Sequence, residues 1–243
     1  SDSRREHGDF RHALLDLKQR GDIDFIVFVG DMDPVPKNHE IVSEVLGVEA
    51  YWVIGNHESP GDRQYIKGLF PFMREVVSSF GNTTYMFRRG GAYFIILDEY
   101  VDSRSGRIRS GGRQYNWLAG VLKDLRGENV LVFAHEPAYP YIRHVGDSLD
   151  QNPRDRDSLW RLFTENDVEA FVNGHIHHYN RTLIDGVVQF NTGRAGASQG
   201  GGDGYITYTH GCADNGNIKL EVYRSGGQDK SFGLVDKLVF PAN

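Results

Sequence analysis

Four runs of β-forming apolar residues in this chain each stop at a residue type that binds metal. Phe25–Val29 ends at Gly30-Asp31, and Tyr51–Ile54 ends at Gly55-Asn56-His57-Glu58. Val130–Phe133 ends at Ala134-His135, and Ala170–Val172 ends at Asn173-Gly174-His175-Ile176-His177. Ligands of open α/β sheets bind at the carboxyl ends of the strands. Four such ends carrying Asp, Asn or His, in order, predict one shared dinuclear metal centre. A centre of that kind ordinarily hydrolyses phosphate esters.

The segments between these runs predict the sheet that would hold them. Asp9 is placed to cap a helix over Phe10–Arg20, with Phe10, Ala13, Leu14 and Leu17 on one face. A short helix over Asn38–Leu46 separates the first two runs, which gives β-α-β alternation and a parallel sheet. Gln64–Phe80 reads as one or two helical segments broken near Pro71. Gly90-Gly91 between Thr83–Arg89 and Ala92–Asp98 predicts a hairpin. Helices follow over Arg113–Leu125 and Leu159–Glu165, with a strand over Val168–Val172. Beyond His177 the runs Arg181–Ile184, Val187–Asn191, Tyr205–Thr209, Lys219–Tyr223 and Leu234–Phe240 predict mostly antiparallel strands. The glycine-rich stretch Gly193–Gly204 reads as a loop inside a single domain over residues 1–243.

Composition narrows the partners. The formal net charge of −6 argues against binding duplex nucleic acid, which needs a basic face. It leaves a phosphate-ester substrate open, because bound cations reverse the local charge. No run is long and apolar enough to span a bilayer. The lone Cys212 forms no intramolecular disulfide, and neither compartment nor oligomeric state is set by the sequence.

The candidate ligands mix carboxylate, amide oxygen and imidazole, which suits Mn, Fe or Zn better than Ca. Asp31 is the candidate for bridging two ions, and the alternate histidines His175 and His177 for reaching one ion each. The glycines before Asp31, Asn56 and His175 fit sharp turns and close backbone approach.

Taken together, Gly30-Asp31, Gly55-Asn56-His57-Glu58, His135 and Gly174-His175-Ile176-His177 resemble the motifs of the calcineurin-like metallophosphoesterase superfamily. The resemblance runs from the start of the chain to about Asn191. It implies an α/β fold of four layers, an α/β/β/α sandwich of two mixed sheets flanked by helices. It implies that Asp31 bridges two divalent ions, that Asn56, His135 and His175 complete one site, and that Asp2 and His177 serve the other. A shared hydroxide would attack phosphorus in line, on a phosphomonoester or a phosphodiester. His57 would protonate the leaving oxygen. Glu58 is read either as orienting that imidazole or as a carboxylate at the start of a helix.

One motif departs from the family. Its first motif is Asp-x-His after a strand, and here the match is Asp2-Ser3-Arg4. Arg4 cannot ligate a metal, having no free lone pair. It would either leave one metal position weaker or contact a substrate phosphate; alternatively, Ser1–Arg4 is a terminus without a role. The preceding strand is expected to lie upstream of Ser1. A tyrosine that gives purple acid phosphatases their colour is replaced by Pro34, so no tyrosinate band is expected. Arg4 also leaves open a non-catalytic metal-binding scaffold, as in some relatives of the superfamily. Arg143, Arg194 and the Tyr139-Pro140-Tyr141 segment are candidate substrate contacts. The histidines outside the motifs, His144 among them, read as structural or exposed.

Overall fold

The apolar runs fold as strands because helices and a second layer cover them on both sides. A computed structural model describes residues 1–69, 76–81, 83–101, 103, 105–196, 201–214, 217–226 and 231–241. The first strand, β1 (Phe25–Val29), pairs in parallel with β2 (Glu49–Val53). Three helices, α1 (His7–Lys18), α2 (Val35–Val45) and α3 (Pro60–Leu69), belong to the same half of the chain. Phe10, Leu14, Ile41, Val42 and Ile66 from these helices pack on Phe28 and Trp52. Helix α1 starts at His7 rather than at Phe10, so Asp9 lies in its first turn instead of capping it. There it still complements the helix dipole.

A seven-stranded sheet forms the middle of the molecule. Its strands are β3 (Val76–Gly81), β4 (Thr84–Arg89), β5 (Ala92–Ile96), β6 (Val130–Phe133), β7 (Ala170–Asn173), β8 (Tyr179–Ile184) and β9 (Val187–Thr192). They lie in the order β3-β4-β5-β6-β7-β9-β8. The steps from β5 to β6, β7 and β9 are parallel, while β3/β4, β4/β5 and β8/β9 are antiparallel. Gly90 and Gly91 make the two-residue turn between β4 and β5, both at positive φ, as the twist of a tight hairpin demands. Helices α4 (Arg113–Asp124) and α5 (Pro153–Thr164) cover one face through Leu118, Leu122, Leu159 and Phe163.

The helix expected over residues 64–80 is corrected at both ends. Helix α3 begins earlier, at Pro60, whose missing N–H costs nothing in a first turn. Residues 76–80 belong to strand β3, which gains an antiparallel partner in β4. The expected break near Pro71 falls outside the described residues.

The third set of strands is β10 (Thr207–Asp214), β11 (Asn217–Gly226) and β12 (Ser231–Phe240), an antiparallel sheet. Its Ile218, Leu220, Val222 and Leu238 share one core with Val29, Val53, Phe87, Phe94 and Phe133. The four layers are therefore present, but the expectation of two mixed sheets holds for the seven-stranded one only. The other layer consists of the parallel pair β1-β2 and the antiparallel triplet β10-β11-β12. A cleft of about 710 Å³ separates them, bordered by β1 and β10 and floored by Phe94, Leu131, Phe133 and Phe190. Among the described residues, no helix is long and apolar enough to cross a membrane.

Candidate metal centre

Parallel pairing puts the chemically active residues on one side of the molecule. β1 and β2 are parallel, so Asp31 and Asn56 leave the same edge. β6 and β7 are parallel as well, which does the same for His135 and His175. The N-terminal residues join them by backbone hydrogen bonds: Asp2 N–H donates to the Gly30 carbonyl (3.0 Å) and Arg4 N–H to the Asp31 carbonyl (3.2 Å).

The glycines of the motifs are required by this crowding. A Cβ on Gly30, which sits at φ +80°, would collide with the His135 ring. A Cβ on Gly55 would collide with Asp31 Oδ1. Asp2, Asp31, His175 and His177 all adopt positive φ, between +55° and +69°. Such conformations are uncommon for residues with a side chain and concentrate where a site is over-determined by its surroundings.

Asp2, Asp31 and His135 form the buried floor of the site, with ligand-type atoms within 4.8 Å of one another. His135 Nδ1 donates to the Val29 carbonyl (2.9 Å), which fixes the ring and turns Nε2 toward the site. Nε2 faces Asn56 Oδ1 at 3.1 Å and Asp31 Oδ1 at 3.4 Å. Burial opposes charge on this ring, yet Asp31 and Asp2 together outweigh burial and hold its pKa well above the usual value. For Asp31, burial is likewise outweighed, by His135, and its carboxyl is held below the usual range.

His175 and His177 complete the arrangement. Asp2 Oδ2 accepts the His175 backbone N–H (3.1 Å), and Asp2 Oδ1 lies 3.4 Å from His177 Nε2. His177 Nδ1 donates to the Gly201 carbonyl (3.1 Å). His175 is 6% exposed and its Nε2 has no hydrogen-bond partner. Burial, reinforced by His135 and His144, pushes its pKa down to about 2, so the ring is a neutral donor of a lone pair. A buried unpartnered imidazole nitrogen beside crowded carboxylates is the environment a divalent cation satisfies.

Two of the remaining candidates sit otherwise than expected. Glu58 contacts neither a helix start nor the His57 ring through its described hydrogen bonds. It accepts the backbone N–H groups of Asp31, Met32 and Gly55 at 3.2, 2.6 and 2.6 Å, clamping the β1 and β2 turns together. Burial and the nearby Asp31 push its pKa up to about 7. Arg4 donates from Nε to Asp33 Oδ1 (3.2 Å), an ion pair beside the floor. His57 stands at the opening, its side chain 42% exposed, with Nε2 at 3.8 Å from Asp31 Oδ2. Its backbone N–H donates to Asp31 Oδ1 (2.9 Å). The Arg143 and Arg194 side chains donate to the carbonyls of Gly201 and Tyr205, bracing that segment. Tyr139 packs on Trp160, whereas Tyr141 is exposed.

Two residues that the sequence reading left outside the site, Glu99 and His144, take part in it. Glu99 accepts the backbone N–H groups of His135 (3.1 Å) and Glu136 (2.9 and 3.1 Å), fixing the turn that carries the His135 ring. The His144 ring lies against His175 at a tilt of 36°, with ring centroids 4.0 Å apart. The one sequence cue for His144 is an aspartate three residues on, Asp147, which its Nδ1 meets.

Residues 2–179 match the calcineurin-like phosphoesterase family. A Mycobacterium tuberculosis protein named as a cAMP/cGMP dual specificity phosphodiesterase is 27% identical over 174 residues, covering 68% of this chain and 52% of the relative. A probable cyclic nucleotide phosphodiesterase of Rhodococcus erythropolis is 24% identical over 174 residues, covering 68% of this chain and 54% of the relative. The chain thus spans about half the length of the curated relatives it matches. Among solved structures, GAP50 of Plasmodium, described as the anchor in the inner membrane complex, aligns with a TM-score of 0.55 at 14% identity, over 98% of this chain and 83% of that one. Vps29 of Entamoeba histolytica complexed with zinc aligns with a TM-score of 0.52 at 14% identity, over 95% of this chain and 89% of that one. At these identities the likeness is one of fold.

Proposed function

The chain belongs to the calcineurin-like phosphoesterase family, and from that premise we propose that it is a divalent-metal-dependent phosphodiesterase whose substrates include cyclic nucleotides. The observation that carries the reading is the buried floor: two carboxylates and an imidazole converging within 4.8 Å, with the unpartnered His175 Nε2 beside them. Asp31, Asn56, His135 and His175 would hold one ion, and Asp31, Asp2 and His177 a second, with Mn, Fe or Zn as the fitting metals. Divalent ions there would supply Lewis acidity toward phosphoryl oxygens and acidify a water.

The chain's own contribution is positioning. Strand ends and the Glu58 clamp fix Asp31, and the Val29 and Gly201 carbonyls fix the rings of His135 and His177. Water would displace the leaving oxygen in line. His57, exposed at the opening and close to Asp31, would give that oxygen a proton. A second reading, a metal-binding scaffold without turnover, draws on the engagement of Arg4 by Asp33 at the position where the family carries a histidine.

The test is manganese-dependent hydrolysis of 3′,5′-cyclic AMP, an aryl phosphodiester and an aryl phosphomonoester. Diesters should be cleaved, and His57→Ala should lower kcat by roughly 10²–10⁴. Activity that survives Asp31→Asn unchanged would refute the centre. Tight ion uptake with no turnover on any of the three would favour the scaffold.

A further inference from the structure

The loop after β6 carries ligand chemistry that the floor of the site does not use. His144 Nδ1 lies 3.2 Å from both carboxylate oxygens of Asp147, and the His144 ring lies against His175. Ligand-type atoms of His144, Asp147 and His175 fall within 4.8 Å of one another, a set separate from Asp2, Asp31 and His135. The tetrahedral edge for bonds of 2.0–2.1 Å is roughly 3.3 Å, so the spacing of His144 and Asp147 suits ligands of one ion as well as a hydrogen bond.

The loop is built rather than incidental. Ile142 and His144 stand at φ +69° and +58°, and a β-branched residue rarely adopts that region. Asp150 accepts the N–H groups of Gly146 (2.7 Å) and Ser148 (3.1 Å), and Ser148 Oγ donates to the His144 carbonyl (2.9 Å). These bonds hold His144 over the one floor-side imidazole whose Nε2 is buried without a partner. Two imidazoles and a carboxylate suit a divalent transition ion, zinc above all.

We infer that His144, Asp147 and His175 form an additional divalent-cation position at the rim of the metal centre. The inference rests on the proposed centre for its setting, since it shares His175 with it. An ion at the rim draws on that shared imidazole, so excess zinc binds there as a further equivalent and lowers turnover by withdrawing His175 from the floor. Asp147, with a side chain 61% exposed, makes the rim the weaker and more readily exchanged position.

The test is zinc uptake by the chelator-stripped chain of residues 1–243, read by calorimetry and by metal content after desalting, with cobalt absorption as a second signal. Wild type should take up one weak equivalent that His144→Ala lacks, and Asp147→Asn should weaken that equivalent roughly 10–100-fold. The remaining equivalents should be unchanged in both variants, whose folding is checked by circular dichroism. Equal uptake and equal cobalt spectra in wild type and both variants would overturn the rim position. Cyclic AMP hydrolysis measured alongside separates the two readings. Turnover with no extra equivalent removes the rim alone, whereas an extra equivalent with no turnover removes the phosphodiesterase reading alone.

Discussion

The floor and the rim of this site use the same side-chain chemistry, imidazole with carboxylate, but the chain holds them by different means. On the floor, Asp31 and His135 follow directly from strands and are fully buried. Their orientation is set by backbone groups of Val29 and by the Glu58 and Glu99 carboxylates behind them. On the rim, His144 and Asp147 lie on a loop, pair with each other and meet solvent. Burial makes the floor demanding, because its charges must compensate one another or be compensated by a cation. Exposure lets the rim do without.

This contrast predicts ligand substitutions of unequal severity. Asp31→Asn should weaken uptake of the tight ions by more than about 100-fold, since even partners behind a ligand cost 10–100-fold. Asp147→Asn should leave that tight uptake within a factor of about 2. Calorimetric titration of both variants checks the ordering, and equal losses would erase the distinction between floor and rim.

Stability should follow the same order. His135→Ala leaves a buried cavity and an unpaired Val29 carbonyl and should cost about 3 kcal/mol. His144→Ala should cost about 1 kcal/mol or less, as for an exposed pair. Urea unfolding of the chelated variants measures both, and a His144→Ala loss matching that of His135→Ala would mean the rim is part of the core.

The smallest effect lies behind the floor, at Asp98. It accepts from Thr83 Oγ (2.8 Å) and the Tyr100 N–H (2.9 Å), and burial pushes its pKa up. Between the ordinary carboxylate pKa and this raised one, the folded chain binds more protons than the unfolded chain. Wild-type stability therefore falls through that window as pH rises. Asp98→Asn lacks the effect, so its Tm relative to wild type should climb between pH 4 and pH 8. A relative Tm that drops over this range would put the Asp98 carboxyl in an environment that favours its charge.

Asp31 and His135 of the floor were legible because each follows the end of an apolar run, whereas Asp2 was reached through the motif resemblance alone. The supports of the floor were not legible. Glu58 looked like a partner for the adjacent His57, yet it bonds backbone groups 26 and 27 residues away. Glu99 acts on a turn 36 residues away. Such contacts depend on which strands become neighbours, and periodicity does not encode that. His144 was set aside for the same reason, since its value comes from lying against His175. Residues 76–80 misled differently: their valines suit a strand, but a strand needs an edge to pair with, and that edge is β4, which the local pattern does not reveal.

The split of the inner layer has a consequence for its backbone. Among the described residues β1 and β10 each have a strand partner on one side only, and both border the apolar cleft between them. Each therefore offers a row of backbone donors and acceptors roughly 17 Å long along the five residues of β1, beside greasy side chains. Ser1, Val29 and Thr192 line that cleft, so it reaches from the apolar interior to the edge from which Asp2 and Asp31 leave.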